Sequence, residues 1–469
     1  MEKTNIVTMT DSYKMGHWQQ YPEGTEYVYS YFEARNGAKF DETTFFGLQY
    51  LLKEYLEGTV VTTEKIDFAE KLAKVHFGND YIFNRSRWDY IVEKWDGKLP
   101  VRIKAVPEGT PVPVNNVMMT VENTDPNCYW LTNHLETMLT WVWHPSTVAS
   151  LSRTTKQMIA KYLQETADNL DGLPFKLHDF GFRGVAGNEA ARLGGAGHLV
   201  NFMGTDTVGA MELALMYYDA DINSLAFSVP ATEHSVMTSL GEEGEADMYK
   251  RVLDKYPTGI LSVVSDSYDI YRATAKYVGE YFKEEILNRD GVFVVRPDSG
   301  DPVETVMRLL YILMDKFGGE VNSKGYKVLN PKVRLIWGDG INLEGITQIL
   351  EAMKEEFWSA DNIVFGMGGG LLQKVNRDTQ RFAFKCSAQC RNGVWYDIQK
   401  TPLDESKKSK AGKLALIKEG DVYRTIESVQ PELYSTLYEV TGDVLETVFL
   451  NGEIVKEYTF DEVRKNASL

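Results

Sequence analysis

Residues suited to phosphate and sugar chemistry recur along this chain at the ends of short apolar runs. Arg296 and Asp298 lie in RPDSG, Asp266 in SDSYD and Asp339 in GDG. One arginine with three carboxylates can hold ribose hydroxyls and a Mg²⁺–phosphate assembly, because that hard cation takes oxygen ligands. A single loop aspartate ordinarily serves as a cap or turn, and recurrence at successive run ends is what points to a shared site. The run Gly366-Met367-Gly368-Gly369-Gly370 follows the strand-like NIVF and precedes LLQKVNRD. Glycines there let backbone N–H groups approach a phosphate at a helix start; the same run also serves as a tight turn with no anion. It is neither a Walker loop nor GxGxxG, since no GK[ST] follows. His234, in PATEHS, is one of seven histidines. His178 and His198 also lie in strand-like runs, so position alone does not single it out, and His17, His76, His134 and His144 read as structural. Arg183, in DFGFRG, suits a phosphate, a carboxylate or a surface ion pair.

These residues need elements that bring them to one place. The apolar runs are FKLHDFG (175–181), HLVNFMGTD (198–206), FSVPATEH (227–234), LSVVSDSYD (261–269), VFVVRPDSG (292–300), VRLIWGDG (333–340) and IVFGMGGG (363–370). Between them lie MELALMYY, IYRATAKYVGEYFKEEIL, PVETVMRLLYILMDKF and LEGITQILEAMKEEFW. The last three carry apolar residues at three- and four-residue spacing, as amphipathic helices do. Repeated strand–loop–helix units predict parallel strands, and about seven of them predict an irregular α/β barrel, with an open doubly wound sheet as the competing architecture. In both, strand carboxyl ends share one face, where ligands bind. The flanks read differently. VYSYFEAR, LPVRIKAVPEGTPVPVNNVMMTVEN, RNGVWYDIQK, GDVYRTI and ETVFLNGEIVKEYTF have strand and turn patterns, while TTFFGLQYLLKEYLEG and the segment after NCYW look helical. The expected organisation is an α+β domain from 1–165 with 386–469, and a barrel domain over 166–385. DESKKSKAGK (404–413) is expected to be a charged loop.

Composition sets the bounds. At 469 residues, with 43% hydrophobic and 25% charged residues, the chain has enough apolar surface for a sizeable core in more than one domain. A net charge of −17 argues against nucleic acid and anionic membranes as partners. No apolar stretch reaches the ~20 residues that span a bilayer, and the first residues lack a signal peptide's apolar core. The cysteines, Cys128, Cys386 and Cys390, form no CxxC pair, so disulfides and structural zinc are not expected. A cytoplasmic protein is expected.

Several long segments resemble the nicotinamide phosphoribosyltransferase family. They are TDSYKMGHWQQYPEGTEYVYSYFEAR, HDFGFRGVAGNEAARLGGAGHLVNFMGTDTVGA, SVPATEHS, SVVSDSYDIY, RPDSGDP, GDGIN, GMGGGLLQKVNRD and FDEVRKNA, in register from about residue 8 to the C-terminus. The resemblance implies a type II phosphoribosyltransferase, an irregular α/β barrel beside an α+β domain, working as a homodimer. It implies transfer of phosphoribose from phosphoribosyl pyrophosphate to nicotinamide, with Mg²⁺ as cofactor and ATP as co-substrate. By it, Phe180 stacks on the pyridine ring opposite Tyr13 of the partner subunit, Arg183 donates to the carboxamide oxygen and Asp206 accepts from its NH₂. Arg35, Arg296, Arg377, Lys385 and Lys400 hold phosphates with the backbone at Gly338, Gly368 and Gly369. Asp266 and Asp298 orient ribose and the Mg²⁺-bound pyrophosphate, Asp339 lies near the ribose, and His234 is phosphorylated by ATP. The metal is held mainly by substrate phosphates. This chain departs from the pattern at Ala383, where relatives can carry a serine, and in a basic loop shortened near Lys407 and Lys408. Nicotinate phosphoribosyltransferase shares the architecture and is the alternative activity; a non-catalytic binding or signalling protein on the same fold is the alternative of another class.

Overall fold

The computed structural model describes residues 4–401, 408–427 and 440–469; of the charged loop expected over 404–413, residues 404–407, Lys407 among them, lie outside the described residues. The chain forms two compact units. One comprises Met1–Ser150, Ala214–Ala220 and Asn376–Ser468, the other Leu151–Leu213 and Asp221–Val375 together with Leu469.

In the first unit, β-branched and aromatic residues favour the extended chain, and seven strands pair antiparallel. In order these are Val394–Asp397, Ala383–Arg391, Thr25–Glu33, Val117–Asn123, Val101–Ala105, Glu446–Leu450 and Glu453–Ile454. Tyr31 and Phe32 are fully buried on the Thr25–Glu33 strand. The helix Leu131–Thr140 is tied to that strand where the Thr132 hydroxyl donates to the Val28 carbonyl at 3.1 Å.

The second unit carries six parallel strands: β1 Leu177–Asp179, β2 Gly204–Thr205, β3 Thr258–Val264, β4 Asp290–Arg296, β5 Val333–Trp337 and β6 Ile363–Met367. Their order across the sheet is β2-β1-β6-β5-β4-β3. Unbroken apolar stretches such as Phe293–Val295 are buried, as expected of strands covered on both faces. Crossover helices start at side-chain caps: Asp301 accepts from Glu304 N before Pro302–Phe317, and Asn342 accepts from Gly345 N before Leu343–Glu355.

Three expectations need correction. The run 227–234 is not a seventh strand. It makes two single parallel bridges, Phe227 to Gly204 of β2 and Ala231 to Ser262 of β3, and so bonds to both edges of the sheet. Pro230 has no N–H to donate, which keeps a regular ladder from forming; its carbonyl still accepts from Ser262 N at 3.0 Å. The run 198–206 is mostly not strand, because the helix Asn188–Leu199 extends into it. Gly195 lets that helix pack tightly, since a Cβ there would lie 2.7 Å from Ala210 Cβ, and His198 bonds Ser152 Oγ and the Gly204 carbonyl. The segment 270–287 is not one α-helix: a π-helix over Ala273–Tyr281 separates a short turn from Lys283–Asn288. Among the described residues no helix is long and apolar enough to cross a membrane. The three cysteines are free thiols, with Cys128 and Cys390 buried.

Candidate active site

Because the strands run parallel, the residues just beyond β1 to β6 gather at one end of the sheet. A cavity of about 770 Å³ opens there, and its lining includes Phe180, Arg183, Asp206, Arg296, Asp298 and Asp339. The glycines 338, 368, 369 and 370 form part of its wall, and so do Glu233, Gln373 and Lys374.

Phe180 directly follows β1, and its ring lies on a bed of glycine. A Cβ on Gly366 would come within 2.0 Å of the ring and one on Gly338 within 2.9 Å. Contacts that close exclude any side chain larger than hydrogen. The sequence motif therefore has a second physical basis, space for an aromatic ring, besides approach to an anion. Arg183 is exposed on the 3₁₀ turn Phe182–Gly184.

Asp206, just past β2, is held from two sides. Ser228 Oγ donates to its Oδ1 at 2.6 Å, and His178 Nε2 lies 3.2 Å from the same oxygen. Burial works to raise its pKa, but these bonds and the charges of His178 and Arg296 outweigh it and hold the carboxyl below the usual range. Asp206 is thus a carboxylate at neutral pH.

Across the site, His234 begins the short helix His234–Met237. Its Nε2 is 2.9 Å from Asp266 Oδ1 and its Nδ1 is 4.0 Å from Asp298 Oδ2. Ser299 Oγ donates to the other oxygen of Asp266. Arg296 Nη2 donates to the Thr232 carbonyl at 2.9 Å, while its Nε is buried with no protein acceptor. Burial and then the charges of Asp298 and Asp266 push Asp339 above the ordinary carboxylate range. The three carboxylates are therefore close enough to repel one another.

The remaining expected residues belong to the antiparallel unit. Tyr13 is 61% exposed, its ring edge-on to His17 at 5.0 Å. Burial lowers the Lys385 pKa; Glu136 opposes this, and the positive charges of Arg35, Lys400 and Lys14 add to it, so those cations share one neighbourhood. Arg35 Nε donates to the Arg381 carbonyl at 3.3 Å, and exposed Arg377 lies 3.5 Å from Asp378. Lys400 donates its backbone N–H to Ser409 Oγ at 2.9 Å. Ala383 begins the strand that holds Lys385 and is buried.

Sequence reasoning missed Ser228 and passed over His178, both of which hold Asp206. It also missed Asp179 and the pocket-lining Lys374. His178 and Asp179 sit in the quoted HDFGFRG and Ser228 opens the quoted SVPATEHS; nothing local ties Ser228 to Asp206, 22 residues away.

Comparison with known proteins identifies the family. A profile for the nicotinate phosphoribosyltransferase (NAPRTase) family matches residues 175–453, and one for the nicotinamide phosphoribosyltransferase N-terminal domain matches residues 5–103. The chain is 47% identical over 467 residues to the nicotinamide phosphoribosyltransferase of Xanthomonas campestris pv. campestris (strain 8004), covering 99% of this chain and 98% of the relative. It is 34% identical over 500 residues to that of Acinetobacter baylyi (strain ATCC 33305 / BD413 / ADP1), covering 99% and 97%. In fold it is similar to the crystal structure of nicotinate-nucleotide pyrophosphorylase from Pyrococcus furiosus, with a TM-score of 0.61 at 15% identity over 100% of this chain and 96% of the other. Identity sustained over nearly the whole of both chains leaves one conclusion: this chain belongs to the nicotinamide phosphoribosyltransferase family and is a phosphoribosyltransferase enzyme.

Proposed function

We propose that the enzyme joins nicotinamide to phosphoribosyl pyrophosphate, giving nicotinamide mononucleotide for NAD salvage and releasing pyrophosphate. The observation that carries this reading is the ionised Asp206, held by His178 and Ser228 in the same cavity as Phe180 and Arg183. A carboxylate there accepts from a carboxamide NH₂ and repels the carboxylate of nicotinate. Arg183 donates to the amide oxygen, and Phe180 offers a face to the pyridine ring.

In the reaction the pyridine nitrogen attacks the anomeric carbon. The C–N bond forms as the C–O bond to pyrophosphate breaks, and the bonding pair leaves with pyrophosphate. The ring nitrogen carries no proton, so no general base is required. Arg296, with its unpaired Nε, and the backbone at Gly338, Gly368 and Gly369 meet the charge growing on the leaving group, and Asp339 and Asp298 face the cationic sugar. The self-repelling Asp266, Asp298 and Asp339 suit a nearby cation. A Mg²⁺ there would be carried mainly by substrate phosphates, with these carboxylates beside it. When bound, that ion supplies charge neutralisation of the pyrophosphate.

ATP coupling runs through His234. Asp266 accepts from Nε2–H and so selects the tautomer whose lone pair is on Nδ1. Nδ1 then attacks the γ-phosphorus, ADP leaves, and water later cleaves the P–N bond to release phosphate. The working form is a homodimer. In its support, the largely apolar helix Val208–Tyr218 exposes Val208 (62%) and Met216 (67%), and the Tyr13 ring is exposed. Arg35, Arg377, Lys385 and Lys400 supply phosphate contacts. The test is mononucleotide formation from nicotinamide against nicotinate, with and without ATP: preference for nicotinamide with ATP stimulation is expected, and preference for nicotinate overturns the reading.

A further inference from the structure

We propose that Asp179, which touches no substrate, is a positioning residue that sets the spacing between Arg183 and Asp206, the two groups that grip the base. The inference rests on the base-binding role just given to those two residues. Asp179 is the last residue of β1 and is wholly buried. Its side-chain Oδ1 accepts from Gly181 N at 2.7 Å, anchoring the turn that carries Phe180 and Arg183. Its backbone carbonyl accepts from Asp206 N at 2.9 Å, anchoring the loop that carries the opposite group. One residue therefore ties together both halves of the base site, which leave the sheet from different strands.

A Cβ on Gly195 would lie 3.2 Å from Asp179 Oδ2, so the helix Asn188–Leu199 packs closely against the carboxyl. Oδ2 and the hydroxyl of Thr207 are both buried, and neither is hydrogen-bonded. Burial dominates and pushes the group up to about 6, against the bond from Gly181 N and the nearby Thr207 hydroxyl. An uncharged side chain of the same shape can still accept from Gly181 N and can also donate toward Thr207.

That property separates positioning from mere filling. Asp179→Ala removes the acceptor, freeing the turn; Asp179→Asn keeps Oδ1 in place. Steady-state kinetics with both substrates should show a nicotinamide KM raised ~10-fold or more in D179A, with the phosphoribosyl pyrophosphate KM within ~2-fold of wild type. D179N should restore the nicotinamide KM to within ~3-fold. Should D179A not fold, D179S against D179N reads the same split. Equal losses in D179N and D179A, equal rises in both KM values, or an unchanged nicotinamide KM in folded D179A each overturn the proposal. If the wild-type enzyme turns over nicotinate instead, the substrate reading falls and the same comparison is made with that base.

Discussion

Replacing Asp206 by Asn tests the basis of amide selectivity. In the wild-type site a nicotinate carboxylate would sit beside an ionised Asp206, because the Ser228 and His178 hydrogen bonds and the nearby positive charges hold that group below the ordinary carboxylate range against the effect of burial. Two like charges ~4 Å apart cost ~4 kcal/mol at an effective dielectric of ~20, and ~1 kcal/mol in bulk water. The Asp206 side chain is 49% exposed, so an intermediate ~2 kcal/mol applies, which is ~30-fold in relative rate. Asp206→Asn removes that repulsion while the amide oxygen can still accept from Ser228. The ratio of kcat/KM for nicotinamide to that for nicotinate should therefore fall ~30-fold, most of it through better use of nicotinate. The assay is competition of the two bases at fixed phosphoribosyl pyrophosphate, with both mononucleotides separated and counted. A ratio within ~3-fold of wild type would show that Asp206 charge does not set the preference.

His234→Ala should abolish ATP stimulation and acid-labile phosphate incorporation while basal phosphoribosyl transfer persists; labelled phosphate from ATP appearing on another residue of the variant would remove His234 from that role. Gly366→Ala puts a methyl 2.0 Å from the Phe180 ring, an overpacking that costs ~1–3 kcal/mol, so the nicotinamide KM should rise ~10-fold or more, and a KM within ~2-fold of wild type would refute the glycine bed. Asp179 titrates at about 6 when folded, against ~3.9 in an unfolded chain. The folded state therefore holds the extra proton between those values; the stability this gives is full below pH ~4 and is lost as pH rises through about 6, by ~3 kcal/mol. Asp179→Asn cannot ionise, so urea unfolding at pH 4 and pH 8 should show the variant gaining on wild type at the higher pH, and a pH-independent difference would refute this. Tyr13→Ala and Arg183→Ala, each impaired alone, should regain ~a quarter of wild-type activity when mixed under verified subunit exchange, because random pairing makes half the dimers mixed and each mixed dimer has one native site; no recovery would rule out a shared site.

Much of this protein was legible one segment at a time. Apolar runs followed by Gly, Asp or Arg identified five of the six parallel strands with little error, since each carries a buried apolar stretch that needs no partner to be recognised. The turn residues beyond them, Asp266, Asp298, Asp339 and the glycine run, were visible because a parallel sheet must deliver its carboxyl ends to one side, whereas Phe180 came from the family resemblance. Boundaries failed where local composition fits two states: the small residues of Asn188–Leu199 suit a helix only because the space beside Ala210 admits nothing larger, and 227–234 reads as a strand until Pro230 meets the sheet edge.

Only the tertiary structure decided which groups face each other. Ser228 reaches Asp206 across 22 residues, His178 across 28, and His234 meets Asp266 across 32. Such pairings depend on strand order and on where each connecting segment re-enters the sheet, neither of which has a local periodicity. The same holds for Asp179. In sequence it is one more aspartate in a polar strand end, and it joins the Gly181 turn to the Asp206 loop only once β2 lies against β1. Residue types therefore recorded the chemistry available, because charge, size and hydrogen-bonding capacity belong to each side chain. The partners and protonation states came with the fold, because burial and distance exist only after the chain has closed on itself.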